Sequence, residues 1–172
     1  DLCWLLSHQL NHARSTPKKR NFIHARFDYR RYPPSIGYQR KLFLEQIIDK
    51  PRFRSGQVNP ALYRLELRLA QAILSPFGYG EICFRDFEAI LAHTLLLKPS
   101  MDHLETWPNI YMPGQTYIKL DWNGHNLLPI CDAIFSNQID VQGIQKNAYY
   151  LYQKSLSKID AKIEEILDEF YC

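Results

Sequence analysis

Apolar residues follow two rhythms along this chain, and each marks a different kind of element. In YQRKLFLEQIID (38–49), Leu42, Leu44, Ile47 and Ile48 recur at helical spacing, and Pro51 predicts the stop. Asn59-Pro60 offers an N-cap followed by proline at the first helical position, so ALYRLELRLAQ is expected to be helical. ICFRDFEAILAHT carries the same spacing, and so does DLCWLLSHQLNHA at the start. Short apolar runs bounded by Gly, Pro and polar residues read as strands instead: NFIHARF (21–27), RFRSG, AILSP (72–76), LLLKP (95–99) and TYIKLD (116–121). FGYGE is a turn and SMDHLETWPNIYMPGQ a long loop. From Asn126 to Phe170 the chain reads as helix in two or three pieces, and no repeat appears at any period.

Strands alternating with helices at this spacing predict parallel βαβ units, so the fold class is α/β with a parallel sheet and flanking helices. Such sheets bind ligands beyond the carboxyl ends of their strands. Here those ends are the HARFDYRR loop, the SPFGYGE turn, the KPSMDHLETWP loop and the segment after Asp121. These are also the polar, aromatic and Gly/Pro-rich stretches.

Composition supports a folded domain. The chain has 172 residues, 46% of them apolar and 13% aromatic, which suits a sizeable core and argues against disorder. No apolar run approaches the roughly 20 residues that span a bilayer. The opening DLCWLLSHQL has no initiator Met, basic n-region or cleavage site, so it does not read as a signal peptide. It suggests one module of a longer protein: a single domain over 1–172 with a helical segment from about residue 126. Charge is divided unevenly. Residues 1–68 hold 14 Lys/Arg against 5 Asp/Glu, and residues 69–172 hold 7 against 13. A basic first half suits an anionic ligand such as a phosphate, a membrane surface or nucleic acid; KKR and RR can equally be solvated loop charges. Cys3, Cys83, Cys131 and Cys172 form no CxxC and no zinc spacing. Cys83 and Cys131 lie in apolar contexts and read as buried thiols, and with no Asn-x-Ser/Thr sequon the expectation is a cytoplasmic setting, with a peripheral membrane position as the variant.

Ser75 to Pro99, SPFGYGEICFRDFEAILAHTLLLKP, is the densest segment for chemistry. A strand runs into a Gly-x-Gly turn, and a helix is expected to begin at or just after Glu81. Backbone N–H groups at a helix start favour an anion, and Gly78 and Gly80 let the backbone approach a ligand. The turn is neither GxGxxG nor a P-loop. Glu81, Arg85 and Glu88 fall at i, i+4 and i+7, one helical face. That face is either an exposed salt-bridge ladder worth tenths of a kcal/mol or the wall of a cleft, with Arg85 toward phosphate. Asp102, His103 and Glu105 are too local to make a metal site. Trp107 or His103 could touch a sugar or base, or Trp107 could simply pack its loop. No G-x-S-x-G elbow supports a serine hydrolase. Arg40 and Lys41 read as surface, and Tyr149, Tyr150 and Tyr152 as packing.

SPFGYGE followed by RDFEAILAHTLLLKP resembles the C-terminal nucleotide-sugar-binding domain of GT-B glycosyltransferases, in the exostosin-like and group 1 style. That family's pattern is a strand, a glycine turn, a helix with Glu, Arg and a second Glu, then a short apolar strand. HLETWPNIYMPGQTYIKLDW resembles the same family's loop and final strand. The resemblance covers about residues 21–147 and is most specific over Gly78–Pro99. It implies a Rossmann-like domain, the C-terminal half of a GT-B architecture, and transfer of a sugar from a nucleotide diphosphate sugar to an acceptor hydroxyl, in glycan or polysaccharide synthesis. By the same resemblance, the donor would meet Arg26, Arg30, Gly78, Tyr79, Gly80, Glu81, Arg85 and Glu88. Glu88 would take the ribose, the glycine-turn amides the phosphates, and Arg26, Arg30 or Arg31 the diphosphate leaving group. It further implies no metal and no cofactor, and an N-terminal acceptor domain in the same enzyme that holds the glycan acceptor and any catalytic base. The two glutamates stand one residue closer than in the common retaining pattern, and His93-Thr94 replaces the usual small glycine. The alternative is a non-catalytic nucleotide- or nucleic-acid-binding module, which would spread its arginines over an open face rather than converge Arg26 and Arg85 on a pocket.

Overall fold

The computed structural model describes residues 17–171. The helix expected over DLCWLLSHQLNHA, with Cys3, and the last residue, Cys172, lie outside the described residues.

Among the described residues five parallel strands form one sheet: β1 (Arg20–Ala25), β2 (Phe53–Ser55), β3 (Ala70–Leu74), β4 (Leu95–Pro99) and β5 (Ile118–Leu120), in the order β2-β1-β3-β4-β5. Six helices flank it among the described residues: α1 (Pro34–Ile47), α2 (Pro60–Leu69), α3 (Phe84–Leu91), α4 (Leu127–Phe135), α5 (Val141–Leu156) and α6 (Ile159–Tyr171). This is a Rossmann-like α/β architecture.

Alternation along the strands divides the core in two. Ile23, Ala25, Ala72, Leu74, Leu95 and Leu97 face Phe43 and Ile47 of α1 and Leu127, Cys131 and Ile134 of α4. Ile73 and Leu96 face the other way, against Leu67 of α2, Ala89 and Ile90 of α3 and Ala148 of α5. With both faces covered, the strands read as continuous apolar runs, as parallel strands do.

Local signals act where the sequence placed them. Asn59 Oδ1 accepts the Leu62 N–H at 2.9 Å and starts α2, with Pro60 at its first position. Helix α1 begins earlier than its apolar spacing suggests, because Pro34 opens it. Helix α3 begins later than expected, at Phe84, because the Asp86 carboxylate reaches back to the Cys83 N–H at 3.0 Å and makes Cys83 the cap.

The strand order positions the site. The chain moves from β1 outward to β2, then crosses β1 to place β3 on its other side. Connections leave the β1 and β3 edges toward opposite faces, which opens a crevice beyond the carboxyl ends at that switch point.

Candidate functional site

A cleft of about 970 Å³ opens at this switch point. The loop after β1, the Ser55–Val58 segment at the end of β2, and side chains from α1, α2 and α3 line it. Five of its lining residues are arginines: Arg26, Arg30, Arg31, Arg40 and Arg85. They differ sharply in what balances their charge.

Arg26 is internally neutralised. Its Nε and Nη2 make a fork on the Glu66 carboxylate of α2, each at 2.8 Å, and its Nη1 donates to the Ser55 carbonyl. The two side chains are only 12% and 11% exposed, so the pair clamps β1 to α2 and β2.

Arg85 and Arg40 have no such partner; neither makes an ion pair among the described residues. Arg85 Nη2 donates to the Arg26 carbonyl at 3.1 Å, while its Nε is buried without a hydrogen-bond partner among the described residues. Arg40 is 1% exposed, which corrects the expectation of a surface residue. It threads between the rings of Tyr32 and Phe27, 4.0 and 5.2 Å from their centroids, and donates to the carbonyls of Asp28 and Phe77, both at 2.5 Å. Carbonyl acceptors and ring faces accommodate a guanidinium without cancelling its charge. Burial, followed by repulsion from Arg85, lowers its pKa to about 10, so it stays protonated at neutral pH. Arg30 and Arg31 are exposed at the rim. Tyr79, 80% exposed, donates its hydroxyl to the Arg31 carbonyl and lies against Tyr32 at 5.0 Å.

Of the residues singled out in the sequence, Arg26, Arg30, Tyr79 and Arg85 are brought together here. Glu88 stands behind the lining: its Oε2 accepts the Tyr63 hydroxyl at 2.7 Å, and Tyr63 itself lines the cleft. Burial raises the Tyr63 phenol well above its ordinary range, so it remains a donor. Gly78, Gly80 and Glu81 do not line the cleft. The Gly78 amide donates to the Gly80 carbonyl at 3.0 Å within the turn, so it is not an open donor. A Cβ on Gly78 would come within 3.1 Å of Cys83 Sγ, and this close approach accounts for the glycine. Glu81 precedes α3 rather than sharing a helical face with Arg85 and Glu88, and it pairs with His103 of the β4–β5 loop. That corrects the expected i, i+4, i+7 ladder. Cys83 is a free thiol only partly buried, whereas Cys131 is buried as expected.

Asp102 accepts from Lys119 Nζ at 2.8 Å. Among the described residues no group of three or more His, Cys, Asp or Glu side chains is arranged to hold a metal ion. Trp107 is exposed and does not line the cleft.

Sequence reasoning missed the support beneath the cleft. Asp86 and Lys98 are wholly buried and paired at 3.0 Å, and Asp86 also accepts from Ser75 Oγ (2.6 Å), Tyr111 hydroxyl (2.7 Å) and the Cys83 amide. A lysine inside the apolar run LLLKP was the available signal. His24, also wholly buried on β1, packs edge-on to Tyr63 with ring centroids 4.7 Å apart, and neither ring nitrogen has a hydrogen-bond partner among the described residues. Desolvation, then Arg85 and Arg26, depress its pKa to about 3, so the ring is neutral.

No family model matches the sequence, and no relative among curated proteins does. Among solved structures, the fold is similar to that of the pneumococcal O-GlcNAc transferase GtfA crystallised with UDP and GlcNAc, with a TM-score of 0.49 and 13% identity. The match covers 89% of this chain and 37% of that one, so the chain spans well under half the length of that transferase. No helix among the described residues is long and apolar enough to cross a membrane.

Proposed function

We propose that the cleft binds the diphosphate of a nucleotide sugar, and that the chain is the donor-binding part of a glycosyltransferase acting on an acceptor hydroxyl. The observation that carries this reading is the convergence of Arg85 and Arg40, neither ion-paired among the described residues, on one cleft at the carboxyl ends of the strands, with Arg30 and Arg31 at its rim. Uncompensated guanidiniums in a site of lowered dielectric favour a dianion more than a surface patch does. A diphosphate gains negative charge as the bond to the sugar breaks, and donors fixed in advance at that position lower the barrier. Helices on opposite faces supply Arg40 and Arg85, so the spacing of these two is set by the core rather than by loops. Glu88, behind the lining, acts through Tyr63, whose hydroxyl it holds. Gly78, Gly80 and Glu81 act on the turn that carries Tyr79. The acceptor and any base come from the rest of the enzyme, and leaving-group stabilisation by arginines requires no metal.

A nucleic-acid-binding module remains the second reading. The convergence of arginines in a concave site, rather than along an open face, favours the first.

The test is calorimetric titration of nucleoside, nucleoside monophosphate and nucleoside diphosphate at two ionic strengths. Arg85→Gln is expected to weaken diphosphate binding by about 1.5–3 kcal/mol, the usual worth of a hydrogen bond to a charged group, and nucleoside binding hardly at all. Arg85→Lys should recover only part. A loss equal for Arg30, Arg31 and Arg85 variants, independent of phosphate count and erased by salt, would overturn the leaving-group role.

A further inference from the structure

Helix α1 has a second pocket on its other flank. Arg40 and Leu44 face the arginine cleft, while Tyr38, Leu42, Glu45 and Gln46 line a separate pocket of about 400 Å³, completed by Asn123 and His125 from the segment after β5. Trp122 adjoins it, its ring tilted 35° to that of Tyr38 with centroids 6.4 Å apart. Tyr38 is 58% and Trp122 47% exposed. Large aromatic side chains left half in water beside a polar pocket call for a ligand with one apolar face.

The pocket is built, not incidental. Gln46 Nε2 donates to the Leu42 carbonyl (3.2 Å) and across to the Asn123 carbonyl (2.9 Å), which ties the loop to the helix. Gly124 adopts φ +75°, and a Cβ there would lie 2.7 Å from the Phe43 ring and 2.8 Å from Gln46 Nε2, so only glycine lets the loop seat this closely. Asn123 Oδ1 accepts the His125 backbone N–H at 3.2 Å, and Asn123 Nδ2 lies 3.2 Å from Nδ1 of the imidazole.

We infer that this pocket binds a neutral saccharide, with a pyranose ring laid on Trp122 and Tyr38 and its hydroxyls paired with Glu45, Gln46, Asn123 and His125. The C–H face of a pyranose suits the negative face of an aromatic ring, and its hydroxyls donate and accept, matching a carboxylate, two amides and an imidazole. The lining carries no arginine and no lysine, which disfavours phosphates. A cationic ligand is also disfavoured, because Lys41 lies 3.5 Å from Glu45 and already offsets its charge. The inference stands apart from the reading of the arginine cleft.

Saturation-transfer NMR and calorimetry with maltose, cellobiose and N,N′-diacetylchitobiose test it. At least one saccharide is expected to bind, with saturation strongest on one C–H face. Trp122→Ala and Tyr38→Ala should each weaken it about tenfold, the scale of an aromatic contact, and Trp122→Phe should retain most of the affinity. Binding should persist in Arg85→Gln, which separates failure here from failure at the cleft. If Trp122→Ala disturbs the amide spectrum, Tyr38→Ala and Trp122→Phe decide. Three silent saccharides, affinity indifferent to both rings, or binding of tetramethylammonium in their place would overturn the assignment.

Discussion

Asp86 is where the cleft's geometry is most exposed to a single change. Its carboxylate joins the end of β3 through Ser75, the start of α3 through the Cys83 amide, β4 through Lys98 and the following loop through Tyr111. Arg85, the adjacent residue, reaches the cleft because α3 starts where Asp86 caps it. Removing one member of a wholly buried ion pair strands the other. Lys98→Met is therefore expected to cost about 3–5 kcal/mol in urea unfolding. The double variant Asp86→Asn/Lys98→Met should recover part of that loss, since a neutral amide can still serve Ser75 and Tyr111. A double variant no more stable than the single one would show that hydrogen bonding, rather than charge pairing, dominates here.

Among the elements, α2 shows how a local start signal supports a distant site. The Asn59 cap and Pro60 set where the helix begins, and that choice places Tyr63 and Glu66 on the face toward β1. Glu66 then neutralises Arg26, and Tyr63 bridges toward Glu88. Asn59→Ala should cost about 1 kcal/mol, which for a chain of this size lowers Tm by about 2–4 °C. Because α2 is also held by Leu67 in the core, the helix should persist and the loss should appear in stability before it appears in ligand affinity. A larger loss, with collapse of the helical signal, would mean that the cap rather than the core holds α2.

For the whole molecule, the burial of His24, reinforced by the neighbouring Arg85 and Arg26, has a titration consequence. His24 is held neutral, with its pKa near 3 against an ordinary 6.5. Between those values the unfolded chain binds a proton that the folded chain refuses. Stability is therefore full above about pH 6.5 and declines as pH falls toward 3, at up to about 1.4 kcal/mol per pH unit. His93, also lowered by burial, adds in the same direction. Asp28 and Asp102, whose pKa values are held below the ordinary carboxylate range, add a loss at lower pH. His24→Leu should flatten the profile between pH 6.5 and 4.5 relative to the parent while leaving the steeper acid limb. Parallel profiles from urea titrations would show that His24 takes up its proton in the folded state.

How much of this was legible beforehand follows from the range of the forces involved. Period and punctuation act within a few residues, so NFIHARF, AILSP, LLLKP and the Asn59-Pro60 start were readable as local geometry, and their alternation was enough for a parallel α/β sheet. The rim of polar loops followed from that class alone. The choice among the arginines did not. Arg26 and Arg40 differ in sequence only as a strand-end and a mid-helix residue, yet one is forked on Glu66 and the other is buried among rings and carbonyls with no ion pair among the described residues. Glu81 appeared to share a helical face with Arg85 until Asp86, reaching back to Cys83, moved the helix start past it. His24 and Lys98 sat in apolar runs whose neighbours could not be known. The sequence by itself determined the elements and the end of the sheet that would hold a site. The tertiary structure decided which charges meet there, because crossing β1 to reach β3 brings residues 26, 40 and 85 together from distant parts of the chain.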